Sequence, residues 1–148
     1  MFSGQYEYSL DDKGRLSIPA RFREVLLSQY GPALILTNHM DGCVAAYPVN
    51  EWKALQDRID KLDPITKRQT KNVLRIFYAG AVECAIDRLG RILVPQSLRN
   101  FGSIKKNVMI VGMNKVIEIW AEETWAELVK NTTSDKDRMA EASSQLDL

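Results

Sequence analysis

A gap-free internal repeat constrains this chain more than any other feature of it. Residues 2–23, FSGQYEYSLDDKGRLSIPARFR, align on residues 78–99, YAGAVECAIDRLGRILVPQSLR. The identities are Gly4/Gly80, Glu7/Glu83, Asp11/Asp87, Gly14/Gly90, Arg15/Arg91, Pro19/Pro95 and Arg23/Arg99. Between them apolar faces apolar, at Phe2/Tyr78, Leu10/Ile86, Leu16/Ile92, Ile18/Val94 and Phe22/Leu98. The likeness continues more loosely: Leu34-Ile35-Leu36 matches Met109-Ile110-Val111, and Tyr47 and Trp52 take the places of Trp120 and Trp125. A duplicated unit sets the architecture before any local reading, because each copy must bury its apolar face against the other. Each copy is predicted to run strand, tight turn, strand, short helix, two further strands, then a helix begun near a tryptophan.

Local chemistry supports each step. Residues 6–10 alternate as a partly buried strand does. Asp11-Asp12-Lys13-Gly14 reads as a turn, since Asp accepts nearby backbone N–H bonds and Gly tolerates positive φ. Residues 15–18 are expected to return as the partner strand. Pro19 then stops the strand and can open a helix, where its missing N–H is no loss. Phe22, Val25 and Leu26 fall on one face of that helix, and Tyr30-Gly31-Pro32 ends it. The second copy repeats the pattern with Asp87-Arg88-Leu89-Gly90, Pro95, a stripe from Leu98 to Phe101, and Gly102 as the stop. Between the copies, Asn50 is a candidate N-cap for a helix carrying Trp52, Leu55 and Ile59 on one side. Asp63-Pro64 breaks it, and a second helix is predicted over 65–77. The boundaries read as a first repeat over 1–57, a helical connector over 58–76, a second repeat over 77–130, and an acidic helix running into a mobile tail over 131–148. Four short strands and two short helices leave one copy a thin core, so the two are expected to interlock into one barrel-like α+β body with a β-rich centre.

Composition narrows the class. With 148 residues, 45% apolar and 26% charged, the chain has the make-up of a folded soluble domain. No stretch approaches the roughly 18 uninterrupted apolar residues of a membrane helix, and Met1-Phe2-Ser3-Gly4 lacks the look of a signal peptide. A cytosolic location without membrane partners is therefore expected. Net charge is only +1, but it is unevenly spread: from Glu118 onward eight acids face three bases, leaving a body of net +6. A basic body suits a polyanion partner, as it suits an ordinary solvated surface.

At the two D-x-x-G-R turns, 11–15 and 87–91, each followed by a short strand and a proline, the chain resembles the MraZ family. The resemblance covers nearly the whole length, including the opening Met-Phe-Ser-Gly and the helices of Trp52 and Trp125. It implies two tandem units of the SpoVT-AbrB, or swapped-hairpin, type. It also implies a cytosolic regulator on the bacterial nucleoid that binds short direct repeats ahead of the cell-division and cell-wall gene cluster, assembled as a ring of identical protomers.

On that reading the partners are double-stranded DNA and further copies of the chain. The contacting residues are Lys13, Arg15, Arg21 and Arg23 in the first copy, with Arg88, Arg91 and Arg99 in the second. An Arg just past a rigid turn can offer its planar fork to the O6/N7 edge of guanine or clamp a phosphate. Lys13, Arg21 and Arg23 are placed to hold flanking phosphates. The other reading of Arg15 and Arg91 is as braces, paired across the turn with Asp11 and Asp87. Asp11, Gly14, Pro19, Asp87, Gly90 and Pro95 read as backbone devices of the hairpins. The series Lys67, Lys71, Arg75 offers a second phosphate track, a solvated face or a subunit contact. Trp52, Trp120 and Trp125 read as core or interface anchors, with no basic run interleaved for base stacking.

Nothing in the sequence points to catalysis, a cofactor or a small-molecule effector. The single histidine, His39, stands in a predicted turn without a second His or an H-x-E pattern, so no metal site is expected. Cys43 and Cys84 form no C-x-x-C and read as small buried residues. No G-x-S-x-G, G-x-G-x-x-G or G-K-[ST] occurs. The rival to a DNA-binding regulator is an oligomeric protein-interaction scaffold of the same fold.

Overall fold

The computed structural model describes residues 1–148, with eight strands and seven helices. In the first copy these are β1 (Gln5–Ser9), β2 (Arg15–Ser17), α1 (Ala20–Gln29), β3 (Ala33–Asn38), β4 (Val44–Pro48) and α2 (Val49–Asp60). Two connecting helices follow, α3 (Pro64–Gln69) and α4 (Lys71–Ala79). The second copy supplies β5 (Val82–Ala85), β6 (Arg91–Leu93), α5 (Gln96–Phe101), β7 (Asn107–Met113), β8 (Val116–Ala121) and α6 (Glu122–Ser134), and α7 (Lys136–Gln145) ends the chain.

The copies exchange their first strands. The hairpins β3–β4 and β7–β8 join side by side through β4 and β8, giving a six-stranded sheet in the order β1-β7-β8-β4-β3-β5. β1 of the first copy thus lies on β7 of the second, and β5 of the second on β3 of the first, all antiparallel. β2 and β6 form a separate two-stranded ribbon. Its central pair is Leu16↔Ile92, the same position of the two copies, so a pseudo-twofold axis passes between them. The α+β class and the interlocked copies are as expected. The expected barrel-like form does not close in the main sheet: β1 and β5 are the two ends of an open sheet and do not meet. The expected β1–β2 ladder is absent too. Asp11 N–H to Arg15 C=O and Gly14 N–H to Asp11 C=O, both at 3.0 Å, close that turn without extending into a ladder, while Ile18 N–H donates to Gly90 C=O and Val94 N–H to Gly14 C=O, both at 2.9 Å. The groups that would pair β2 with its own neighbour are held by the other copy.

One face of the sheet carries the main core. Phe2, Leu34, Leu36, Val44, Val108, Ile110, Ile117 and Ile119 meet Leu16, Ile18, Phe22 and Leu26 of the first copy and Ile92, Val94 and Leu98 of the second, all buried. Burying any one of these side chains is worth about 1.5–3 kcal/mol, and the ribbon side chains are buried in one cluster made of both copies. The opposite face is covered by helices. Cys43, Met109, Val111 and Trp120 cluster there under Trp125 and Leu128 of α6. The repeat's tryptophan positions are matched in space, with Tyr47–Trp52 centroids 5.7 Å apart and Trp120–Trp125 centroids 5.8 Å apart.

Helix boundaries depart from the sequence reading in five places. Pro19 and Pro95 stand one residue before α1 and α5 rather than inside them, and Pro48 does the same for α2. Asn50 lies inside α2 and caps nothing, because the extended Pro48 already ends β4 and sets the entry angle. The helix expected over 65–77 is two, divided at Thr70, whose hydroxyl bonds back to Thr66 C=O at 2.7 Å. That side-chain bond competes with the backbone ladder and marks the bend. Asp63 caps α3 by accepting Thr66 N–H at 2.9 Å. The terminal stretch is divided likewise at Asp135, which caps α7. Phe101, expected in a buried stripe, is 37% exposed, because α5 ends after six residues.

Candidate nucleic-acid interface

Both D-x-x-G-R turns have the same internal geometry. The Asp11 carboxylate accepts Lys13 N–H at 3.0 Å and Arg15 N–H at 2.9 Å, and the Asp87 carboxylate accepts Leu89 N–H and Arg91 N–H at 2.9 Å each. Gly14 and Gly90 then take φ of +85° and +78°, a region that a side chain strains to adopt. Each carboxylate is held below its ordinary value of 3.8, first by the backbone N–H of Arg15 or Arg91, then by the same arginine's side chain. In both turns the aspartate carboxylate thus binds two backbone N–H groups and the glycine takes positive φ.

Each turn arginine is also a brace. Arg15 Nε donates to Asp11 Oδ2 at 2.5 Å, and Arg91 Nε to Asp87 Oδ2 at 3.1 Å. Arg91 Nη1 lies 4.0 Å from Asp11 Oδ2, so the two turns share one line of charges across the ribbon. Bracing engages the Nε edge. The two Nη nitrogens of Arg15 carry no hydrogen bond within the chain, and Arg15 is 36% exposed. An Nε-held guanidinium with a free Nη edge is a pre-oriented fork, so the brace and contact readings are compatible.

The other basic residues fall into two groups. Lys13, Arg21 and Arg88 are exposed, with no ion pair. Arg23 and Arg99 are half-buried and face inward: Arg23 Nη1 donates to Ile18 C=O at 2.7 Å, and Arg99 Nε to Val94 C=O at 3.0 Å. Arg23 lies over Gly90 and Arg99 over Gly14, each crossing to the other copy's turn. These two side chains fasten the ribbon. Sequence reasoning passed over Lys105 and Lys106, both exposed. Lys106 C=O accepts Leu10 N–H at 2.9 Å, which sets this basic pair beside the start of the first turn. The adjacent lysines were visible in the sequence; their neighbour was not. The series Lys67, Lys71, Arg75 is split between α3 and α4, with Lys67 Nζ bonded to Asp60 C=O at 2.7 Å.

Comparison with known proteins gives the chain's family. The family model described as "MraZ protein, putative antitoxin-like" matches residues 1–75 and again residues 77–147. Among similar curated proteins, Transcriptional regulator MraZ of Pelotomaculum thermopropionicum is 41% identical over 148 residues, covering 100% of this chain and 99% of its own. The protein of the same name from Lactiplantibacillus plantarum is 41% identical over 141 residues, covering 95% and 96%. That from Thermoanaerobacter sp. (strain X514) is 43% identical over 141 residues, covering 95% of both.

Proposed function

The chain belongs to the MraZ family, and from that premise we propose that it is a DNA-binding regulator of transcription, reading short direct repeats ahead of a bacterial cell-division and cell-wall gene cluster. It works as a ring of identical protomers on the nucleoid, in the cytoplasm. The observation that carries the reading is the Arg15 guanidinium, fixed through Nε with its Nη edge free, at the mouth of a turn bearing exposed Lys13 and followed by exposed Arg21. Arg15 supplies the base contact, while Lys13, Arg21, Arg88, Lys105 and Lys106 supply phosphate contacts, which position the protein without specifying sequence. Arg91 is the weaker reader, being 26% exposed and shared between two carboxylates.

Self-assembly fits two features. The sheet is open at β1 and β5, and unpaired edges invite pairing between chains. Leu27, Leu89 and Leu93 expose 76%, 71% and 54% of their surface around the second turn and α1, more apolar surface than a lone protomer gains from. In a cyclic array the turns recur at fixed spacing, which suits direct repeats as a twofold dimer suits palindromes. These features also favour the rival, an interaction scaffold without base readout.

Titration of labelled duplexes separates the two, one duplex carrying direct repeats from the region upstream of the protein's own gene and one scrambled. Wild type is expected to prefer the repeats, and Arg15→Ala to lose that preference while keeping its circular dichroism and its elution volume. Equal binding of both duplexes by wild type, or full preference in Arg15→Ala, would leave Arg15 a brace and favour the scaffold.

A further inference from the structure

On the helix-covered face of the sheet three metal-ligating side chains meet that no sequence pattern connects. His39 and Cys43 face each other across the mouth of the β3–β4 turn, where His39 N–H donates to Cys43 C=O at 3.0 Å and Gly42 N–H to His39 C=O at 2.9 Å. Glu118 arrives from β8, opposite Ala45 and so on the same face as Cys43. One ring nitrogen of His39, Cys43 Sγ and a Glu118 carboxylate oxygen all lie within 4.8 Å of one another.

The duplication does not ask for this cluster. The pairing of Tyr47 with Trp120 makes Ala45 the first-copy counterpart of Glu118, and the two lie opposite each other on the pseudo-twofold axis. A carboxylate 9% exposed therefore stands where its twin is a methyl group. Its one hydrogen bond comes from Trp120 Nε1 at 3.1 Å, and it takes part in no ion pair. A buried carboxylate without a cation is costly, and a metal ion is one group that relieves it.

We propose that His39, Cys43 and Glu118 form a binding site for a divalent transition-metal ion of the zinc class. Nitrogen, sulfur and carboxylate oxygen are the donors such an ion takes, and three protein ligands leave a fourth tetrahedral position for water. Ligand atoms around tetrahedral zinc stand about 3.5 Å apart, so the three must draw together by about 1 Å. The turn permits that: Gly42 has nothing within 4 Å of a Cβ, and Asp41 is 68% exposed. The same turn is the access path. Binding displaces the Cys43 thiol proton to solvent and joins nitrogen, thiolate and carboxylate to the ion. His39 Nδ1 accepts Asp41 N–H at 3.2 Å with Asp41 Oδ2 3.4 Å away. Binding of the ion through Nε2 places the ring proton on Nδ1, toward that carboxylate, which then orients the ring. The ion ties the β3–β4 turn of one copy to β8 of the other, and so stabilises the folded chain by linkage.

The test is Co²⁺ titration of the metal-free full-length chain. The expected result is a thiolate-to-cobalt charge-transfer band with tetrahedral d–d bands, saturating at one ion per chain and abolished by Zn²⁺. Cys43→Ser should remove the band and Cys84→Ser keep it. His39→Gln and Glu118→Gln should weaken binding by roughly tenfold or more. Zn²⁺ should raise the melting temperature of wild type and leave that of His39→Gln unchanged; this substitution lies in a surface turn, so the comparison stands even where Cys43→Ser fails to fold. Absence of the band in wild type, its survival in Cys43→Ser, or unchanged affinity in His39→Gln each overturns the site.

Discussion

The guanidinium of Arg99 lies against the backbone of Gly14: a Cβ on that glycine would stand 2.9 Å from Arg99 Cζ. The reciprocal relation holds at the other turn, where a Cβ on Gly90 would meet Arg23 Nη1 at 2.6 Å. Each turn is thus clamped by an arginine of the opposite copy. Gly14→Ala is expected to lose about 1–2 kcal/mol, from the strained positive φ and from displacing Arg99 from the Val94 carbonyl. The melting temperature should fall by about 2–8 °C. Gly90→Ala should match it. An unchanged melting temperature in both would sink the clamp.

Arg23→Ala and Lys13→Ala should separate in two assays. Arg23→Ala removes a half-buried donor to Ile18 C=O and is expected to cost about 1–3 kcal/mol in urea denaturation. The exposed Lys13 should cost nearly nothing there. In DNA titrations across salt, Lys13→Ala should lower the slope of log affinity against log salt by about 1, while Arg23→Ala should leave it in place. A salt-independent wild-type affinity would end the phosphate-contact account.

Acid should weaken the turns. The folded carboxyls of Asp11 and Asp87 lie below their ordinary value of 3.8, chiefly through backbone N–H donors, so their contribution is complete above that value. It is lost as pH falls through the folded value. Asp11→Asn/Asp87→Asn should therefore be less stable than wild type at neutral pH, and its stability should fall less steeply below about pH 4. Urea midpoints measured from about pH 6 to about pH 2.5 give the comparison; parallel curves would remove these two groups from the acid response.

Trp52 links the connector to the sheet, stacked on Phe77 of α4 at 5.1 Å and edge-on to Tyr47 of β4 at 5.7 Å. Trp52→Ala is expected to cost about 3 kcal/mol. Hydrogen exchange should accelerate in α2 and α4 before β7 and β8, because those strands do not depend on this stack. Uniform acceleration along the chain would show one cooperative unit instead.

The repeat by itself determined much. Periods, turns and strand-stopping prolines are local, so the α+β class, the element order, the matched tryptophan pairs and both turns could be read from residue types. The split of the 65–77 helix at Thr70 was not legible, since backbone and side-chain bonding there differ by little. Which strand pairs with which was decided only in three dimensions. An isolated β2 offers the same N–H and C=O groups to β1 as to β6, and the burial of Leu16 against Ile92 settles the choice. The same exchange turned Arg23 and Arg99 inward as cross-copy clamps, though in sequence they looked the equals of Lys13 and Arg21. It also carried Glu118 to His39 and Cys43. Sequence spacing encodes what neighbours along the chain can do, whereas the crossing of two copies brings together groups that no spacing relates.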